Sequence, residues 1–300
     1  KTFWLSNATT LSDRQIGGSD TNPGTFDQPF STLTGALTKV TANRGDIIMV
    51  KPGHAETVSA AAGIILSKAG VAVIGLGQGS TRPTFTLDTA DTATITVTAN
   101  NVTVSNLLFK ANFLNIATVF SIANAQVATD FTVDNCEFRD GSVVLNFVSC
   151  VQVGTTANIA DGLTLTNNKW YGQVLTTVPA AQTFVVIASI TDRLLVTGNT
   201  VIHGKLLDNT AVLIAAGANN LTNAYIAHNH TFRPDTATTG ALITSSSTAC
   251  SGMVEFNTVH HLDNTAGLII PTGTKFGFAE NYSMVTGAAD KSCLINPVAV

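Results

Sequence analysis

The residues best suited to chemistry in this chain form one short run, Asp134, Glu137 and Asp140, with Arg139 among them. Two carboxyl groups held about 5 to 9.5 Å apart can cleave a glycosidic bond, one protonating the leaving oxygen and the other attacking or activating water. If the protein is an enzyme, these four residues are the catalytic candidates; the same run also suits a solvated corner closed by an internal ion pair. A second group is His203, His228, His230, His260 and His261, all in the C-terminal third. The four cysteines, Cys136, Cys150, Cys250 and Cys293, contain no CxxC pair and fit neither zinc spacing nor a dense disulfide framework, so they read as small buried hydrophobes. Gly75, Gly77 and Gly79 are followed by Ser80-Thr81-Arg82-Pro83 and not by a helix, which makes them a chain corner and not a phosphate loop. Nothing resembles a nucleophile elbow. No cofactor and no bound metal are expected.

What must position these side chains is a repeat. One phrase recurs: apolar, any, apolar, two variable residues with Asn at or beside the second, then an apolar or aromatic residue. Asn106, Asn135, Asn167, Asn199, Asn229, Asn257 and Asn281 mark seven copies, 24 to 32 residues apart. The alternation inside each copy has the period of a strand. Short strands at such spacing, with no helical pattern between them, exclude a βαβ sheet and leave a solenoid whose coils pair in parallel about 4.8 Å apart. The repeated Asn suits a corner in two ways: it tolerates left-handed backbone, and stacked amides hydrogen-bond along the column. The expected fold is all-β, a single-domain right-handed parallel β-helix, with earlier coils at Gly45–Val50, Val71–Ile74 and Ala93–Val97.

With the copies aligned on the residue that ends each, Asp134 shares a column with Ser105 and Thr166. Glu137 shares one with Leu108, Lys169, Thr200, Thr231 and Thr258, so no stacked acid pair is expected. His203 and His261 fall in the column of Asp140, Gly172 and Pro234. They stand two coils apart, about 9.6 Å at strand spacing and too far to share a metal with bonds near 2.1 Å. His228 and His230 are expected on one side of a strand-like turn.

Composition fits a stacked chain. Only 11% of the 300 residues are charged, and 45 Thr and 24 Asn stand in their place. A charge repeated down a column would meet its like at about 4.8 Å, whereas Thr and Asn pair with themselves. A net charge of −4 without a basic cluster argues against nucleic acid. No apolar run approaches the roughly 20 residues that cross a bilayer, so no membrane insertion is expected. The opening Lys1-Thr2-Phe3-Trp4-Leu5 lacks the apolar core of a signal peptide.

The open end of a solenoid must be covered. Pro29 suits a first helical turn, and Phe30, Leu33, Leu37 and Val40 follow at helical spacing, which predicts a short capping helix. The expected organisation is a cap segment over 1–44, coils over 45–290 and a tail over 291–300. The runs GSDTNPGTFDQPFSTLTGAL and GDIIMVKPG resemble the entry cap and first coil of the pectate-lyase-like right-handed parallel β-helix superfamily. That superfamily holds carbohydrate-active enzymes and bacteriophage virion proteins. Its pectate lyases use an acid cluster for calcium with Lys or Arg as base, and its galacturonases use Asn-Thr-Asp, Asp-Asp and Gly-His-Gly. None of the galacturonase motifs is present, Gly53-His54-Ala55 being the nearest. The resemblance therefore implies the virion branch: a non-enzymatic head-decoration protein or short spike of a tailed bacteriophage, on the virion surface. Its expected partners are the major capsid protein or other virion proteins, with self-assembly as a homotrimer. The alternatives are a depolymerase or glycan-binding spike with a groove for a host-surface glycan, and an extracellular filament subunit.

Overall fold

A computed structural model describes residues 1–9, 16–142, 144–172, 182–203, 210–233, 240–245, 247–261, 275–285 and 292–294. The chain winds as a parallel β-helix with three long faces. Sheet A stacks ten strands, from Thr2–Leu5 and Ile47–Val50 to Lys275–Ala279. Sheet B begins at Ala55–Val58 and reaches Tyr282–Val285, where Ser292–Leu294 adds an antiparallel strand. Sheet C stacks seven strands, from Ile64–Leu66 to Gly240–Ser245.

Alternation decides which residues face in. Val73, Val104, Val133, Leu165, Val196, Ile226 and Val254 lie in unbroken register down the inner side of sheet A. Phe85, Phe109, Phe138, Trp170 and Val201 do the same in sheet B. Ring centroids in that column lie 6.0 Å (Phe85–Phe109) and 5.4 Å (Phe109–Phe138) apart. All of these side chains are buried, each contributing on the order of 1.5–3 kcal/mol through lost apolar surface.

The seven repeated asparagines divide between two columns at the A–B corner. Asn106, Asn135 and Asn167 have φ of 55°, 49° and 56° and make the left-handed bend. In later coils Gly198, His228, Phe256 and Glu280 occupy that position, with φ from 47° to 69°. Asn199, Asn229, Asn257 and Asn281 stand one residue further on, buried, in a column that starts at Asn168. There each Nδ2 donates to the Oδ1 of the next coil: Asn168 to Asn199 at 3.1 Å, then Asn199 to Asn229, Asn229 to Asn257 and Asn257 to Asn281 at 2.9 Å. The other amide proton goes back to a sheet A carbonyl of the preceding coil, as from Asn229 to Val196 O at 2.9 Å. The single-column reading is thus corrected: bending and stacking are separate jobs done by adjacent residues.

A second left-handed column runs along the C–A corner through Asn43, Gly70, Asn101, Asp130, Gly162, Arg193 and Asn223, with φ between 51° and 75°. The coils from Asn101 to Asn223 therefore turn twice through the same conformation.

The cap differs in detail from expectation. The helix is Leu33–Leu37, so Pro29 precedes it, and Phe30 instead bridges Leu5 beside the first sheet A strand. Thr32 is the N-cap, its hydroxyl accepting from Gly35 N at 3.0 Å, and it disfavours any earlier start. Asp20 accepts four hydrogen bonds, from the backbone N–H and hydroxyl of both Ser31 and Thr32. A Cβ at Gly35 would fall 2.3 Å from the Asp20 carboxyl, so this approach requires glycine. Phe30, Leu33 and Leu37 are buried over the first coil.

Candidate functional site

The acidic run spans a corner. Asp134 ends a sheet A strand and points outward, and Asn135 and Cys136 make the bend. Glu137 and Arg139 then lie on the outer side of sheet B, and Asp140 follows, buried. Asp134 accepts from Thr166 Oγ1 at 2.7 Å, Asn167 Nδ2 at 3.1 Å and Ser105 Oγ at 3.4 Å, tying three coils together. Glu137 is held between Arg82, whose Nη1 is 3.3 Å from Oε2, and Arg139, whose Nε donates to Oε1. Asp140 accepts from Phe147 N at 3.1 Å, Trp170 Nε1 at 3.4 Å and Gln182 Nε2 at 2.9 Å, all within the core wall. The structure thus spreads the four candidates over two faces and the interior, and each carboxylate serves as a staple between coils. Glu137 stacks on Leu108 and Lys169, as the sequence alignment expects; further down, the column carries His230 where Thr231 was expected, because Thr231 faces inward.

An acid group missed by the sequence alignment lies at the C–A corner. Asp161 and Asp192 occupy successive positions there: Asp192 N donates to Asp161 Oδ1 at 2.9 Å, and Gly162 N donates to Asp192 O at 2.8 Å. This corrects the expectation of no stacked acid pair. Arg193 lies 3.5 Å from both Asp130 Oδ1 and Asp192 Oδ2. Thr222 Oγ1 at 2.7 Å and Asn223 Nδ2 at 2.8 Å donate to Asp192, and these bonds hold its carboxyl below the usual range. Asp130, Asp161 and Asp192 recur at intervals of 31 (161−130 and 192−161). That interval was the available signal.

The histidines do not gather. His228 is at the A–B bend, its ring parallel to Phe256 with centroids 5.0 Å apart, while His230 lies past the bend on sheet B, so the two do not share a side. His203 is buried edge-on to Trp170 at 4.9 Å. His260 tilts against Phe232. Backbone register sets His261 beside Arg233; Pro234 lies outside the described residues. His54, buried in the first coil against the cap, accepts from Asn7 N at Nδ1 (3.1 Å), so Nε2 carries the proton it shares with Glu56, 3.1 Å away. Glu56 in turn accepts from Leu33 N at 2.9 Å, the first turn of the capping helix.

Cys136, Cys150 and Cys250 are free thiols in the core, and Cys293 carries no described side chain. Burial pushes Cys136 up to about 12 and Cys150 well above the normal thiol range, which makes both unreactive. Cys136 Sγ donates to Val104 O at 3.8 Å, the carbonyl type that the ladder amides use in later coils.

No protein-family model and no curated protein matches the sequence. Among solved structures, the chain is similar to a rhamnogalacturonan lyase at 14% identity and a TM-score of 0.44, covering 97% of this chain and 89% of that one. It is also similar to a GH136 lacto-N-biosidase from Eubacterium ramulus, at 11% identity and a TM-score of 0.38, covering 95% and 68%.

Proposed function

We propose that this chain is a structural protein of a virion surface, a head-decoration protein or short spike of a tailed bacteriophage that acts as a homo-oligomer and not as a catalyst. The observation that carries this reading is the employment of its acids. Asp134, Glu137 and Asp140 each use their oxygens to join two or more coils. A general acid or nucleophile needs an oxygen turned toward substrate. Stacked aromatic and aliphatic columns, an amide ladder and clamped carboxylates together make a durable rod, which a surface protein requires. The test is quantitative mass spectrometry of purified particles. Abundance of the same order as the major capsid protein supports the reading, and absence of the chain from particles overturns it.

A second reading, a depolymerase or glycan-binding spike, is favoured by one observation, the stacking of Asp161 on Asp192. Asp161→Asn and Asp192→Asn variants that fold but lose polysaccharide clearance would establish it; unchanged clearance, or none in the parent, would remove it.

A further inference from the structure

We propose that the outer face of sheet B binds a phosphorylated sugar, with Lys110, Arg139 and Lys169 taking the doubly charged phosphate and the Tyr171 ring taking the sugar. The site requires neither catalysis nor a particle, so it goes beyond the functional reading and stands apart from it.

Charge count is the first observation. Three successive strands of this face turn Lys110, Glu137, Arg139 and Lys169 outward, and Arg82 reaches over from the corner of an earlier coil. Four cations and one carboxylate leave a local charge of +3 in a chain whose formal net charge is −4. The other faces hold nothing comparable. The strands of sheet C carry no charged residue, and the outward positions of sheet A hold only Asp134, Glu255 and Lys275. Lys110, Arg139 and Lys169 stand 29 and 30 residues apart (139−110 and 169−139), so coiling alone brings them together.

A shortage of acceptors is the second. The one carboxylate is already committed: Glu137 Oε2 lies 3.3 Å from Arg82 Nη1, and its Oε1 accepts from Arg139 Nε. The acids that flank the face are engaged as well. Asp134 accepts from Thr166 and Asn167 on the sheet A side, and Asp88 accepts from Thr89 N at 2.6 Å and Asn112 Nδ2 at 2.9 Å. Lys110 and Lys169 are exposed and form no ion pair among the described residues. Arg82 Nε is buried without an acceptor.

Register gives the chemistry of the ligand. Lys110 and Arg139 are direct partners on neighbouring strands, about 4.8 Å apart, and like charges so placed repel. A single group that lies between them and balances both must carry two negative charges. A carboxylate or a phosphodiester carries one, whereas a phosphate monoester carries about 1.5 to 2 at pH 7 and presents three acceptor oxygens. Glu137 engages only Nε of Arg139, which leaves the two Nη groups to donate to such a group.

Tyr171 is the partner of Arg139 on the other side, in the same outer column, and is 37% exposed. A flat aromatic face buries the C–H side of a sugar ring. A sugar joined to its phosphate through one oxygen and one carbon has an anionic part and a flat part side by side, as Arg139 and Tyr171 are. Beyond Tyr171 the column continues through Ile202 and Phe232, so the anion belongs at the Lys110 end.

The experiment is isothermal titration calorimetry of the full chain with glucose 6-phosphate, with melting curves to establish that each variant folds. Glucose 6-phosphate is expected to bind, and glucuronate, which has one charge, about tenfold more weakly. Lys110→Gln is expected to weaken the sugar phosphate about tenfold, whereas Lys39→Gln, exposed in the cap, leaves it unchanged. Tyr171→Ala should weaken glucose 6-phosphate and not inorganic phosphate. Should Lys110→Gln fail to fold, Lys169→Gln carries the same test. The proposal is overturned by no binding at millimolar glucose 6-phosphate, by glucuronate or inorganic phosphate binding as tightly, or by an equal loss from Lys39→Gln. Particle abundance tests the functional reading separately.

Discussion

At the residue scale, adjacent positions of one corner have opposite energetics. Asn257 is buried and serves five groups: its Oδ1 accepts from the N and Nδ2 of Asn229, and its Nδ2 donates to Ile226 O, Glu255 O and Asn281 Oδ1. Asn257→Ala leaves them unsatisfied and is expected to cost about 3 kcal/mol, read as a lower Tm with an unchanged circular dichroism spectrum. Its neighbour Phe256 is exposed in a left-handed conformation. Phe256→Asn relieves roughly 1–2 kcal/mol of backbone strain while giving up the His228 stack, worth about 0.5–1.5 kcal/mol, so its Tm is expected to stay near the parent's. A loss as large as that of Asn257→Ala would show that the bend is not strained. Asp140→Ala is expected to destabilise by about 3 kcal/mol, since Phe147 N, Trp170 Nε1 and Gln182 Nε2 would lose an acceptor. A rise in stability, the usual result of removing a catalytic acid, would contradict its structural role.

At the scale of elements, the strand period and the repeat interval were legible because every coil obeys them, from Val104 to Val254 without a register slip. The division of the asparagines was not. Asn167 and Asn168 are adjacent in one coil, and a phrase that accepts Asn at either position merges the bend with the ladder. The second corner was obscured for another reason: Asn101, Asp130, Gly162, Arg193 and Asn223 share a backbone angle and no single residue type. Asp161 and Asp192 were obscured with it, their 31-residue interval being the signal. The ladder makes its own prediction. Cys136 fills the slot that precedes Asn168, accepting no amide but donating to Val104 O, so Cys136→Asn should extend the ladder by one coil and hold or raise Tm. A drop of several degrees would mean that the slot is too small for an amide.

The cap also carries an acid-sensitive set. Asp46 is held well below the carboxylate range, chiefly by Arg44. Burial raises Asp20, yet the bonds from Thr32 and Ser31 outweigh it and bring it down. Depressed carboxyls stabilise the folded chain fully above their unfolded value, about 3.9, and this contribution is lost as pH falls through the lower folded values. Amide exchange in Leu33–Leu37 should therefore accelerate below about pH 4 before exchange in the ladder strands does. Uniform acceleration along the chain would contradict a cap that opens first.

For the whole molecule, low charge has a more specific meaning than stacking alone assigns it. Lys110 over Arg139 and Asp161 over Asp192 show that like charges do stack in this fold when partners are near. Charge is instead spread unevenly: the strands of sheet C carry none, the outward positions of sheet A carry Asp134, Glu255 and, in the last strand, Lys275, and the outer columns of sheet B carry Lys110, Glu137, Arg139 and Lys169. That asymmetry could not be seen before strands were assigned to faces, because 11% charge is an average over all three. The most direct test is electron cryomicroscopy of native particles. The account predicts rods about 43 Å long, nine strand spacings of about 4.8 Å, packed side by side at regular positions on the capsid lattice. A bare capsid, with the chain found only as free single rods in the surrounding medium, would contradict it.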